Sequence, residues 1–430
     1  MIALAEGRIA RVCTGVAAPP AGAQRLGGLV IPGLANAHSH AFQRALRGRT
    51  HADGGSFWTW RAQMYALAGS LTPKAVHALA RAAFAEMTLA GVTLVGEFHY
   101  LHHRPGGGLY PDRNAMGLAI IEAARQVGIR LTLLDTCYLH GGIGAPPEGA
   151  QLRFSDGDAR RWSERVDQLA EAVAGSADAG SVRVGAAIHS VRAVDPVAAA
   201  AVAEWAARRG APLHAHVSEQ PAENEAALDA YGASPTELLE RAGALSDGFT
   251  AIHATHVAPA DITRLGQAGA GCCLCPTTER DLADGVGPAW AMREAGVTLA
   301  LGTDSNAIIE PFEEARAVEL DERLVTGVRG RHTAAELLRA ATQGGYESLG
   351  WPEGGALREG ALADLVAIGL SGVRLVATPP EQLIPALVFA SAAADVTDVV
   401  VGGRFVVRHG AHVDLDVPSE LRRAIAGLHG

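Results

Sequence analysis

The chain has 430 residues, 48% hydrophobic and 19% charged, which is enough apolar material for one large domain with a sizeable core beside a smaller one, and it excludes a disordered chain. The formal net charge of −10, with no basic run and no basic stripe interleaved with aromatics, excludes a nucleic-acid surface. The opening residues MIALAEGRIARV carry an acid and a glycine but no long apolar core, so neither a signal peptide nor a membrane span is expected and the cytoplasm is the default location.

In chain order, residues 1 to about 28 read as short strands with glycine turns, as does the chain from about 358 onward, for example ADLVAIGL and VTDVVVGGRFVVRHG. The two termini are therefore expected to pair into one small β-sandwich, 1–28 with 358–430. Between them, over 29–357, apolar runs alternate with alanine-rich helical stretches. Eight strands are predicted, at 29–38, 93–100, 130–138, 182–190, 212–219, 250–257, 270–276 and 298–305. Helices are predicted between them, among others at 73–90, 114–127, 196–209 and 234–242. Eight repeated βα units define an α/β fold, a (β/α)8 TIM-like barrel. Two longer stretches read as irregular: 40–71, and 141–158, whose sequence GGIGAPPEGAQLRFSDGD has the turn composition of a lid or binding loop.

Such a barrel places its chemistry at the C-terminal strand ends, and the polar residues fall there. The first strand runs into NAHSH. Successive side chains of a strand alternate faces, so His38 and His40 point the same way and can grip one ion. Further along come Glu97 with His99 and Tyr100, His189 with Arg192, His216 with Glu219, His253, and Asp304. His99, His102, His103, His214 and His256 are read instead as hydrogen-bonded structural residues.

Five cysteines, three of them crowded at Cys272, Cys273 and Cys275 with no partnering CxxC, are read as small core residues in a reducing compartment rather than a disulfide framework. Lys74 is the only lysine and opens a helix after a proline, so Schiff-base chemistry at a strand end is excluded.

The motifs PGLANAHSH, HAHVSEQ, AIHATH and LGTDSNA, in this order and spacing, resemble the amidohydrolase superfamily over essentially the whole chain. Within it, NAHSHAFQRALRG, FWTWR, GEFHYLHH, HSVRAV and LCPTTERDLADG resemble the formimidoylglutamate deiminase family of histidine degradation. The strand containing RVGAAIHS has no lysine to carry a bridging carbamate, so the resemblance implies one divalent metal per subunit, zinc by preference, on His38, His40, His216 and Asp304. It implies that Asp304 accepts the proton of the attacking water. Glu219 would pass a proton to the leaving nitrogen, and His253 would polarise the attacked group.

For substrate binding the resemblance implies Gln43, Arg61, Tyr100, His189 and Arg192, the two arginines being planar forks suited to a dicarboxylate. The implied reaction is hydrolysis of N-formimidoyl-L-glutamate to N-formyl-L-glutamate and ammonia, in a homodimer with no nucleic-acid or membrane partner. Two alternatives stand beside it. One is an aromatic-base deaminase of the same superfamily, for which Trp58, Trp60, Phe98 and Tyr100 supply aromatics. The other is a catalytically silent relative that holds metal or ligand, against which the intact Glu219, His253 and Asp304 argue.

Overall fold

The computed structural model describes residues 1–50 and 55–428. Strands β1 (Ile2–Ala5) and β2 (Arg8–Val12) form an antiparallel hairpin, followed by β3 (Leu29–Pro32). Eight parallel strands come next: β4 (Leu34–Ser39), β5 (Val92–His99), β6 (Arg130–Cys137), β7 (Val182–Ile188), β8 (Leu213–Val217), β9 (Phe249–His253), β10 (Gly271–Leu274) and β11 (Thr298–Leu301). The chain closes with β12 (Leu365–Ile368), β13 (Val396–Val401), β14 (Arg404–Arg408) and β15 (Ala411–His412).

Each of β4 to β11 hydrogen-bonds to its neighbour in chain order, as expected of the (β/α)8 barrel. Every residue of β4, β5 and β6 is buried, because helices cover the outside and side chains fill the inside. The ring is completed just beyond the last strand. The Thr303 and Asp304 N–H groups donate to His38 O at 3.1 and 2.9 Å, and His40 N–H donates to Asp304 O at 2.9 Å. Gly302 permits this approach, since a Cβ there would lie 2.7 Å from that of His38.

Two sequence expectations need correction. The run read as one strand over 29–38 is two strands in different sheets: β3 pairs antiparallel with β12, and β4 pairs parallel with β5. The chain changes sheets at Gly33, which sits so close to Thr93 that a Cβ would fall 2.1 Å from its Oγ1. The stretch 40–71, read as irregular, contains a 3-10 turn at Ala41–Leu46 and a helix at Phe57–Ser70. Only Phe57, Met64 and Ala68 of that helix are buried, so its sequence lacks the broad apolar stripe of a core-facing helix. The predicted helices do form, at Pro73–Leu89, Ala115–Val127, Pro196–Arg209 and Pro235–Arg241.

The loop 141–158 carries a short 3-10 turn, Gly149–Arg153. Arg153 is fully buried and donates to the carbonyls of Ala68, Leu71 and His103, pinning the loop to the C-terminal end of the helix Phe57–Ser70.

The terminal segments build a five-stranded antiparallel sheet in the order β15-β14-β13-β12-β3. The hairpin lies over it, joined by an Arg8–Leu362 bridge. Ile9, Leu365 and Val400 form a small apolar core between the layers, with Ile2, Val30 and Phe405 packed on it. Sheet and barrel are clamped together by Asp364. Its carboxylate accepts from Arg130 Nε at 2.7 Å and Nη2 at 3.2 Å, from Tyr346 Oη at 2.7 Å and from Gly402 N–H at 2.7 Å. Among the described residues no helix is long and apolar enough to cross a membrane.

Candidate metal centre and active site

The barrel seam builds the candidate metal centre. His38 and His40 project from the end of β4, His216 from the end of β8, and Asp304 lies just past β11. His38 Nε2 lies 3.3 Å and His40 Nε2 3.4 Å from Asp304 Oδ1, and His216 Nε2 lies 3.2 Å from His38 Nε2. Nitrogens this close cannot all carry protons. Burial, reinforced by the neighbouring His253 and His214, holds His38 well below its ordinary range; burial and His38 bring His40 down to about 3, despite Asp304; burial and His38 do the same in direction for His216.

The tautomers follow from the surroundings. His40 Nδ1 is 2.9 Å from Phe98 O and His216 Nδ1 is 2.8 Å from His189 O. A carbonyl only accepts, so the protons sit on Nδ1 and the Nε2 lone pairs face inward. The ligand atoms of His38, His40 and His216 lie within 4.8 Å of one another and Asp304 Oδ1 lies beside two of them, so three neutral imidazoles and a carboxylate make a donor set that fits a divalent zinc-like ion.

Asp304 takes up a left-handed backbone conformation (φ 43°), as do Asn306 (φ 55°), His253 (φ 66°) and Ser218 (φ 50°). Such strain in non-glycine residues gathers where surrounding structure over-determines the backbone. Here a polar seam does so. Asn36 Nδ2 donates to Thr303 Oγ1 at 2.7 Å, Thr303 Oγ1 donates to Asn306 Oδ1 at 2.6 Å, and Asn306 Nδ2 reaches Ser39 Oγ and the carbonyls of His40 and Asp304. Asn306→Ala is expected to weaken metal affinity roughly 10- to 100-fold, read by competition with a chelating indicator. Unchanged affinity would show that the seam does not organise the ligands.

Glu219 and His253 face the same centre. Glu219 Oε1 lies 3.8 Å from His253 Nε2, which in turn lies 3.9 Å from Asp304 Oδ2. Behind His253, Nδ1 meets Glu279 Oε1 at 3.2 Å, and the same oxygen accepts Cys275 N–H at 2.9 Å. Burial disfavours a charge on His253, but the Glu279 hydrogen bond, with Glu219 and Asp304, outweighs it and raises the imidazole to about 10. Glu279 was not singled out from the sequence. Its signal was an acid three residues after the proline that opens the helix Pro276–Asp281, within CPTTERD.

All five residues expected to bind substrate border one cavity of about 220 Å3, together with His40, His216, Glu219, His253 and Asp304. Gln43 Nε2 donates to Tyr100 Oη at 3.1 Å. His189, kept neutral by burial and by Arg192 and Arg61, backs His216 through its carbonyl. Arg61 donates from Nε to Tyr65 Oη at 2.8 Å and lies over the Trp58 and Tyr65 rings, with no carboxylate paired to it among the described residues. Arg192, expected to be a ligand clamp, is already engaged: Nη2 donates to Glu219 Oε2 at 3.1 Å and Nε faces Glu223 Oε2 at 3.6 Å. Glu223 also escaped the sequence reading.

Four of the five histidines read as structural, His102, His103, His214 and His256, have polar partners within the fold. His214 Nε2 meets Ser348 O, His256 Nε2 meets Asp284 O, and His103 Nε2 lies 3.1 Å from Asp156 Oδ1. His99, His102 and Asp135 lie close enough for an ion, but Asp135 is bonded to the buried Arg165 and to Trp162 Nε1, and that guanidinium opposes a second cation. Cys272, Cys273 and Cys275 are buried free thiols.

Residues 29–406 match the model of the amidohydrolase family. A formimidoylglutamate deiminase of Pseudomonas aeruginosa is 37% identical over 402 residues, covering 91% of this chain and 87% of its own. An amidohydrolase from Brucella melitensis superposes with a TM-score of 0.92 at 34% identity, covering 100% of this chain and 96% of its own. A zinc-bound adenosine deaminase from Xanthomonas campestris superposes with a TM-score of 0.84 at 25% identity, covering 100% of this chain and 92% of its own.

Proposed function

The chain belongs to the amidohydrolase family, and from that premise we propose that it is a metal-dependent deiminase that hydrolyses N-formimidoyl-L-glutamate to N-formyl-L-glutamate and ammonia. The observation that carries this reading is one cavity whose wall holds three of the four candidate metal ligands, His40, His216 and Asp304, together with two arginines, Arg61 and Arg192. The likeness to the Pseudomonas deiminase supports it.

A bound zinc ion supplies Lewis acidity and lowers the pKa of a water toward neutrality. Asp304 accepts a proton from the water as its oxygen adds to the formimidoyl carbon. His253 Nε2, steadied from behind by Glu279, faces the attacked group and stabilises charge developing there. Glu219 takes up the other proton of that water and delivers it to the departing nitrogen, the proton held by Asp304 follows, and the C–N bond breaks as the formyl C=O forms and ammonia leaves. Arg61 and Arg192 offer planar forks to the two carboxylates, and Gln43, Tyr100 and His189 add directional hydrogen bonds.

A second reading has its own observation. Trp58, Trp60, Tyr65, Tyr138 and Phe154 also border the cavity and would suit a stacked base. Zinc-loaded protein given N-formimidoyl-L-glutamate, with adenosine and guanine in parallel, separates the two. Rapid ammonia release with formylglutamate as product supports the deiminase. Turnover confined to a base would reassign the arginines.

A further inference from the structure

Arg192 lies between two carboxylates that differ in how firmly they are held. Glu219 makes one hydrogen bond to Nη2, at 3.1 Å, from the wall of the cavity. Glu223 borders the same cavity, but it belongs to the first turn of the helix Pro221–Tyr231 and its side chain has no exposed surface. Its Oε2 accepts the Glu219 backbone N–H at 3.3 Å and faces Arg192 Nε at 3.6 Å, while its Oε1 has no hydrogen-bond partner among the described residues. An enclosed carboxylate with an unpartnered oxygen depends on the neighbouring cation. One guanidinium shared by two carboxylates leaves excess negative charge, so an arriving ligand carboxylate has to replace one of them. Glu219 is the replaceable partner; Glu223 is fixed by its helix and its backbone bond.

We propose that Glu223 is a positioning residue that keeps Arg192 in place while the guanidinium passes from Glu219 to a carboxylate of the bound ligand, so that binding also frees Glu219 from its ion pair. This rests on the reading of the cavity as a dicarboxylate site. With Glu223 neutral, Arg192 falls wholly to Glu219, and the ligand must break a stronger pair to take it.

Glu223→Gln isolates the charge, because the amide oxygen still accepts the Glu219 N–H. The metal-loaded wild type and E223Q are compared by calorimetric binding of glutarate, by KM and kcat, and by melting temperature. The expected result is glutarate binding and KM weakened about tenfold, the scale of one charge-assisted contact, with kcat and melting temperature changed far less. E223A, which also loses the backbone bond, should melt lower as well; should it fail to fold, E223Q carries the test. Glutarate binding to E223Q as tight as or tighter than to the wild type, a joint fall in kcat and melting temperature, or no glutarate binding to the wild type would each overturn the proposal. Whether formimidoylglutamate is the substrate is decided separately, by ammonia release from the wild type.

Discussion

Glu219→Gln should lower kcat by roughly 10²- to 10⁴-fold, the range typical of a lost general acid or base, while the protein keeps its metal. The substitution is nearly isosteric. An amide oxygen can still accept from Arg192 Nη2, now 3.1 Å from Glu219 Oε2, so the side chain has reason to stay where it is. What disappears is the capacity to take up a proton and hand it on, at a position 3.8 Å from His253 Nε2. Metal content, measured by elemental analysis, should be unchanged because the cluster of His38, His40, His216 and Asp304 does not use Glu219. Full turnover by E219Q would remove Glu219 from the proton path, and loss of metal would make it a ligand rather than a shuttle.

The largest loss of stability is expected from Asp364→Ala. That carboxylate is the counter-charge of Arg130, which is 5% exposed, and it also accepts from Tyr346 and Gly402. Removing it strands a guanidinium between the barrel and the terminal sheet. Breaking one side of a buried pair costs about 3–5 kcal/mol, which in a chain of this length should lower the melting temperature by roughly 3–6 °C. Tyr346→Phe removes the two hydrogen bonds of that hydroxyl, to Asp364 and to Thr93, and leaves the ion pair intact, so it should cost about 1–3 kcal/mol. Calorimetric scans of both variants check the ranking; equal and small losses would mean that the clamp contributes little.

Much of this architecture was legible because two simple periodicities carry it. The period of two placed His38 and His40 on one side of their strand, and alternation of strand with helix announced the barrel. The rule that barrel chemistry gathers at C-terminal strand ends then drew His216, Glu219, His253 and Asp304 together, although they are far apart in the chain. What stayed hidden depends on partners that sequence spacing does not reveal. The apolar run 29–38 looks continuous, yet Gly33 lets it leave one sheet for another, a choice dictated by Thr93 and Asp364. The aromatics Phe57, Trp58, Trp60 and Tyr65 of the helix Phe57–Ser70 line the cavity, and only Phe57, Met64 and Ala68 of the helix are buried, so no broad core-facing stripe marks it. Glu223 and Glu279 look like ordinary first-turn acids of their helices. Only the folded chain brings Arg192 to one and His253 to the other.

The barrel is shut at the same place where it would hold its ion. A cylinder of eight strands has one joint between its last strand and its first, and here that clasp is made of His38 O, the Thr303 and Asp304 amides, and the His40 amide with Asp304 O. Side chains of three of these residues are the proposed ligands, so fastening the hoop and gripping the cation are one mechanical act. Those three ligands sit on backbone already committed to closure, which lowers the ordering entropy left to be lost when an ion arrives. By the same connection, an ion in place ties together the two ends of the sheet, and local opening at this joint has to break coordination before it can spread around the ring.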